Sequence, residues 1–329
     1  MSGFSLTIAG RAAPAENTLA VVNPATGKPF AQCPDATRAQ LDQAMSAAEE
    51  AFIGWRSDLA ARRAALVRCG EAMKAAAPEI GRVLTQEQGK PLRDAVGEVM
   101  GAAAWFGLSA ALPLETEILQ DDDNLRIELH RKPLGVVGAI TPWNYPVILA
   151  VWKIAPALLA GNTLVLKPSP YTPLSSLRMG EVLRDVLPPG VFSVVSGGNE
   201  LGKWICEHPA VRKISFTGSV ATGKKIAETA APDLKRVTLE LGGNDPAIVL
   251  GDVDPRIVGE KIFRAAFQNS GQVCVAVKRL YVDESIYPKV LEEVASLARS
   301  AVVGDGLEET TQYGPLNNAP QLERVRELV

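Results

Sequence analysis

A cysteine, a glutamate and an asparagine carry the chemistry that this sequence can support. Cys274 lies in FQNSGQVCVAVKR. A free cysteine is commonly a small core hydrophobe, but Asn269, Ser270, Gly271 and Gln272 ahead of it read as a loop or helix edge. An accessible, poised thiolate there is a strong nucleophile. Cys33, Cys69 and Cys206 have weaker contexts, the last two inside helical patterns. Glu240 closes the apolar run in VTLELGG. It is either a capping or salt-bridging acid, or a partly desolvated carboxylate whose raised pKa suits a general base. Asn144 sits in TPWNYP with prolines on both sides. It is either a turn residue bonding its own backbone or an amide donor to an oxyanion.

Two further segments suit a phosphorylated ligand. FTGSVATGKK reads as strand, tight turn and helix, with Gly218 and Ser219 at the helix start. Free N–H groups and the helix dipole attract phosphate there, although plain turn geometry explains the pattern equally. It is neither G-x-G-x-x-G nor a P-loop, since Lys224 is followed by Lys225. Lys167 ends VLKPS and either bonds a ribose or phosphate or stands exposed.

These residues need a scaffold that brings strand ends together. The first thirty residues read as short strands and turns. From Thr37 the pattern is helical, with Leu41, Ala44, Ala48 and Phe52 on one face. A second helix breaks at Pro78, and a third covers LRDAVGEVMGAAAWFGLSAAL. LRIELHRKPLGVVGAI predicts an exposed hairpin strand and then a buried strand. Helix and strand segments alternate from there to DPAIVL, which specifies an α/β fold with a mostly parallel sheet. Thr141 to Asn144, Lys167 to Ser169, Thr217 to Ser219, and Glu240 all fall at strand ends, where such sheets bind ligands. The pattern VGEKIFRAAFQNSGQVC continues helical toward Cys274.

Composition narrows the classes. A net charge of -3 over 329 residues argues against a broad nucleic-acid footprint. Four scattered cysteines give no disulfide framework, and two histidines leave a zinc site unsupported. The first residues have no basic-then-apolar leader, and no apolar run is long enough for a membrane span. The cytoplasm is the expected location.

In order, NPATGKPF, EQGKP (Glu87 to Pro91), PWNYP (Pro142 to Pro146), KPS (Lys167 to Ser169), FTGS (Phe216 to Ser219), LELGG (Leu239 to Gly243) and GQVC (Gly271 to Cys274) closely resemble the aldehyde dehydrogenase superfamily. The resemblance runs from NPATGKPF to the chain end. It implies a Rossmann-like cofactor domain over 1–120 and 140–246, a partial oligomerisation hairpin over 121–139, and an incomplete α/β catalytic domain over 247–329. The implied reaction is oxidation of a small-molecule aldehyde to the carboxylic acid with NAD or NADP. Cys274 would form a thiohemiacetal and then a thioester, Glu240 would activate the hydrolytic water, and Asn144 with the Cys274 N–H would hold the oxyanion. Thr141, Pro142, Trp143, Lys167, Ser169, Gly218, Ser219 and Leu241 would bind the cofactor, with Lys167 at the adenosine ribose and Ser219 at the pyrophosphate. No metal, membrane or nucleic acid is implied, and a homodimer or homotetramer is expected for the full-length form.

Three departures qualify the resemblance. Pro170 stands where family members often carry an acid that favours NAD, which leaves NADP use open. Asn244 replaces a common lysine after LELGG. The chain is shorter than the family's usual length, without the segment that carries the glutamate at the nicotinamide ribose. An inactive truncated homologue, retaining at most cofactor binding, is therefore one alternative, and inactivity of the chain ending at Val329 is the expectation. A CoA-acylating semialdehyde dehydrogenase is another, disfavoured by the presence of Glu240.

Overall fold

A seven-stranded sheet carries most of these residues in a computed structural model that describes residues 3–329. The chain opens with two hairpins, β1 (Leu6–Ile8) with β2 (Arg11–Ala13), and β3 (Asn17–Asn23) with β4 (Lys28–Asp35). Helices α1 (Arg38–Trp55), α2 (Leu59–Ala75), α3 (Ala77–Gln88) and α4 (Leu92–Ala110) follow. Thr37 and Gln40 start α1 with a capping box: Thr37 Oγ1 accepts from the Gln40 N–H at 3.2 Å, and Gln40 Oε1 accepts from the Thr37 N–H at 3.1 Å. Two otherwise orphaned donors are thereby satisfied. Leu41, Ala44 and Ala48 are buried as their spacing predicts, while Phe52 is half-buried and Trp55 completes the inner face. The helix break falls at Ala76, because Pro78 belongs to the first turn of α3, where its missing N–H has no partner to lose.

The exposed hairpin of β5 (Glu117–Asp121) and β6 (Arg126–Leu129) leads into the alternating region. That region is β7 (Val136–Ile140), α5 (Pro146–Leu159), β8 (Thr163–Lys167), α6 (Leu174–Arg184), β9 (Phe192–Val194), α7 (Asn199–Glu207), β10 (Val211–Thr217), α8 (Val220–Ala230) and β11 (Arg236–Glu240). The sheet order is β11-β10-β7-β8-β9-β1-β2, parallel from β11 to β9 and antiparallel beyond. Helices α5 and α6 cover one face, α1, α7 and α8 the other, and α2 to α4 form a further layer behind α5 and α6. Coverage on both faces explains why β7 and β8 read as continuous apolar runs. One core joins the sheet to these helices.

The rest of the chain is smaller in core. Strand β12 (Asp245–Val249) runs parallel to β13 (Val277–Val282) across α9 (Pro255–Phe267), followed by α10 (Tyr287–Ser300) and α11 (Ala319–Leu328). Its fully packed centre is Val249, Ile286 and Val290. Among the described residues no helix is long and apolar enough to cross a membrane.

Candidate active site

The chain moves from β7 outward to β9, then crosses back to place β10 on the other side of β7. At such a switch point the loops leaving neighbouring strands diverge and open a crevice. Here the crevice holds about 1200 Å³. Thr141, Pro142, Trp143 and Asn144 line it after β7, and Lys167 and Ser169 at the end of β8 and just beyond. Gly218, Ser219, Leu241 and Cys274 line it as well, which accounts for every residue that the sequence singles out except Glu240.

One end suits phosphate. Ser219 is the N-cap of α8, its Oγ accepting from the Thr222 N–H at 3.2 Å. Gly218 donates its N–H to the Glu240 carbonyl at 3.0 Å, which ties the turn to β11. A Cβ at Gly218 would meet the Phe216 ring at 2.5 Å, so a side chain there would displace the ring. Thr141 Oγ1 is buried with no partner among the described residues. An orphaned hydroxyl and a helix N-terminus in one crevice fit an oxygen-rich, anionic ligand. Lys167, whose exposure was one reading, is buried; its Nζ donates to the Pro168 carbonyl at 3.2 Å, and burial pushes its pKa down to about 8. Ser169 Oγ accepts from the Tyr171 N–H at 3.3 Å.

The other end holds the thiol. Helix α9 stops at Phe267, and Cys274 lies in irregular chain, half-buried. Burial pushes the thiols of Cys33 and Cys69 up to about 12 and that of Cys206 to about 11. Asn269, Ser270 and Gly271 all adopt left-handed backbone, with φ of 52°, 57° and 77°. That ends the helix before the cysteine, at a cost of roughly 1–2 kcal/mol for each non-glycine residue. Tertiary bonds offset it: Asn269 Nδ2 donates to the Asn144 carbonyl at 3.1 Å, and Ser270 Oγ to the Gly314 carbonyl at 2.7 Å. Asn144 Nδ2 in turn donates to the Gln272 carbonyl at 2.9 Å. Lys278 Nζ gathers the carbonyls of Val273, Cys274 and Ala276 at 3.1–3.2 Å.

Glu240 departs from the expected environment. It is exposed rather than partly desolvated, because β11 is the edge strand of the sheet, and it is not among the residues lining the crevice. The turn after it does reach the cysteine segment: a Cβ at Gly243 would meet the Cys274 carbonyl oxygen at 2.8 Å. The sequence reading passed over Lys153, buried on α5, whose Nζ donates to Thr217 Oγ1 at 2.7 Å and contacts Ser215 Oγ at 3.4 Å. Burial pushes its pKa down to about 8, against the attraction of Glu240. A lysine in the inner phase of the apolar helix VILAVWKIAPALL was the available signal. Glu87, in EQGKP, is also fully buried; its carboxylate accepts the N–H groups of Leu174 and Ser175 at 2.6 and 2.9 Å and so caps α6.

Residues 12–329 match the model of the aldehyde dehydrogenase family. The chain is 39% identical to a mitochondrial succinate-semialdehyde dehydrogenase of Arabidopsis thaliana, over 95% of this chain and 60% of that protein. It is also 39% identical to a glutarate-semialdehyde dehydrogenase of Pseudomonas putida, over 94% and 66%. Among solved structures, an E. coli NADP-dependent enzyme superimposes with a TM-score of 0.94 at 35% identity, covering 99% of this chain and 69% of that one. PnpE in complex with nicotinamide adenine dinucleotide gives 0.94 at 37%, with the same coverage. The chain belongs to the aldehyde dehydrogenase family, and its fold is that family's Rossmann-like cofactor domain with catalytic-domain elements. It spans about two thirds of the length of the curated relatives it matches.

Proposed function

We propose that this protein oxidises an aldehyde to its carboxylic acid with NAD+ or NADP+, by covalent catalysis at Cys274. The observation that carries this reading is the single crevice, with the capped start of α8 at one end and an accessible cysteine at the other. The dinucleotide, when bound, accepts a hydride. Ser219 and the first N–H groups of α8 hold the pyrophosphate, Gly218 lets it approach, and Lys167 with Ser169 takes the adenosine ribose. Thr141, Pro142, Trp143 and Leu241 form the walls between. Pro170 offers no carboxylate against a 2′-phosphate, so both cofactors are admitted.

The Cys274 thiolate attacks the carbonyl carbon, and the carbonyl electron pair moves onto oxygen. Asn144 has two amide hydrogens; Gln272 takes one, which fixes the side chain, and the second donates to this oxyanion beside the Cys274 N–H. Departure of hydride from that carbon leaves a thioester on Cys274. Glu240 accepts a proton from the water that attacks the thioester, and the thiolate is released with the acid. The close approach of Gly243, three residues after Glu240, to the Cys274 carbonyl supports this role. Residues 1–120 with 140–246 act as the cofactor unit, 247–329 as the thiol-bearing unit and 121–139 as an oligomerisation hairpin for a dimer or tetramer, in the cytoplasm. The exposed apolar side chains of Ile118, Leu119 and Leu125 support that use of the hairpin.

The test is product analysis with a panel of aliphatic and aromatic aldehydes. One acid and one NAD(P)H per turnover are expected from the full-length form, and none from its Cys274→Ala variant. Normal turnover by Cys274→Ala contradicts the reading.

A further inference from the structure

The EQGKP turn contains a buried ion pair that the chemistry above does not use. Lys90 Nζ lies 2.6 Å from Glu98 Oε2, with side chains only 2% and 1% exposed. Lys90 also donates to the Asn144 carbonyl at 2.9 Å and stands 3.7 Å over the Tyr145 ring centroid. The other Glu98 oxygen accepts the N–H groups of Val147 and Ile148 at 2.9 and 3.2 Å, the first turn of α5. One pair therefore grips PWNYP on both sides: a cation on the Asn144 carbonyl and an anion on the helix start that follows. Well-packed apolar residues commonly stabilise a core as well as a buried pair does. An apolar pair could not, however, bond the Asn144 carbonyl or the α5 amides.

The same turn meets the segment beyond Cys274. Gly306 and Gly314 pack so closely on the Gly89–Lys90 backbone that a Cβ at either would overlap a carbonyl oxygen, at 2.4 and 1.9 Å. The Gly314 carbonyl then accepts from Ser270 Oγ, and Asn317 donates Nδ2 to the Glu87 carbonyl at 2.9 Å and its N–H to Gln272 Oε1 at 2.9 Å. Asn144 is thus fixed through its carbonyl by Lys90 and Asn269, and through its amide by Gln272.

We propose that Lys90 and Glu98 are positioning residues for Asn144, holding its carboxamide in register with the Cys274 turn. The proposal rests on Asn144 serving as the oxyanion donor. It predicts an effect on turnover rather than on cofactor affinity, because neither side chain lines the crevice. Misplacing a catalytic group by about 1 Å costs on the order of a hundredfold in rate.

The test replaces the pair together, Lys90→Met with Glu98→Gln, so that no lone charge is left buried and the glutamine oxygen still accepts from α5. Circular dichroism and thermal melting establish that the variant is folded; should it not fold, Lys90→Leu with Glu98→Gln, which likewise leaves no lone charge buried, serves for the same readings. In aldehyde oxidation kcat is expected to fall roughly ten- to a hundredfold, with KM for NAD(P)+ changed by less than about twofold. In an Asn144→Ala background the same replacement is expected to change kcat by less than about twofold, because its effect runs through Asn144. An unchanged kcat, or an equal loss with and without Asn144, overturns the proposal. A second arm needs no turnover: NMR of 15N-asparagine-labelled protein should show the Asn144 side-chain amide shifted and exchanging faster, with that of Asn162, bonded to the Ala157 carbonyl, unmoved. An unmoved Asn144 signal overturns the proposal. Absence of aldehyde oxidation in the unsubstituted protein counts against the proposed function, and the NMR arm still decides whether Lys90 and Glu98 position Asn144.

Discussion

The seven-stranded unit and the stretch from Asp245 onward differ in how each is held. Strands β7 and β8 are buried almost entirely between helix layers. In the β12–β13 pair, Ile248 is 74% and Tyr281 54% exposed. The cysteine nevertheless sits in the second stretch. What fixes its turn comes from both: the Asn144 carbonyl and amide and the Gly243 turn from the first, and Gly314, Asn317 and Lys278 from the second. The proposed cofactor contacts belong to the well-covered unit, whereas the thiol turn is held jointly by both. Changes at the phosphate end and at the thiol end of the crevice should therefore separate binding from chemistry.

The largest separation is expected from Glu240→Gln in the full-length form. The amide keeps the side-chain shape but cannot take a proton from water, so steady-state turnover should fall by about 10²–10⁴-fold. Stopped-flow traces should show an NAD(P)H burst followed by that slow phase. Unchanged steady-state turnover removes Glu240 from the hydrolytic step, whatever its place on the exposed edge.

Lys167→Met sharpens the comparison through stability. The folded pKa of Lys167 lies at about 8, below the ordinary 10.5. The unfolded chain thus binds the proton more tightly, and folding of the wild type is penalised below pH 8. The penalty is relieved as pH rises from about 8 to 10.5. The uncharged methionine side chain escapes it, so the gain of Lys167→Met over wild type should reach up to about 3 kcal/mol at pH 7 and shrink through that window. Denaturant titrations at pH 7, 8, 9 and 10 measure it; a gain independent of pH contradicts the buried, protonated lysine.

Ser219→Asp should have the smallest effect. Aspartate caps a helix as well as serine, so the melting temperature should hold. Its charge would face the pyrophosphate at the start of α8, and the NAD(P)+ dissociation constant should rise about tenfold. Calorimetric titration reads both cofactors. Unaltered affinity would move the phosphates away from α8.

Much of the arrangement was legible because strand ends collect ligand groups. TPWNYP follows β7, VLKPS and FTGS span the ends of β8 and β10, and alternation with helices made those strands readable. The Thr37 and Ser219 caps are local chemistry and could be read locally. Glu240 could not be placed, since an edge position depends on the whole sheet order rather than on VTLELGG. The lysine of EQGKP gave no sign of its partner because Asn144 is 54 positions away. The end of α9 was legible in part, since Asn269 to Gln272 read as a loop or helix edge; the left-handed backbone of Ser270 was not, because its bond to Gly314 spans 44 positions.

The claim that one crevice joins cofactor and thiol has a direct test in the labelling of Cys274. Iodoacetamide is applied to the folded chain with and without saturating NAD+ or NADP+, and each cysteine is followed by peptide mass spectrometry. Cys274 alone should alkylate readily, with Cys33, Cys69 and Cys206 protected by burial and by thiols held at about 11 to 12. Cofactor should change the Cys274 rate, and Ser219→Asp should raise the concentration needed about tenfold. A Cys274 rate indifferent to both cofactors, or matched by the buried cysteines, would contradict the account.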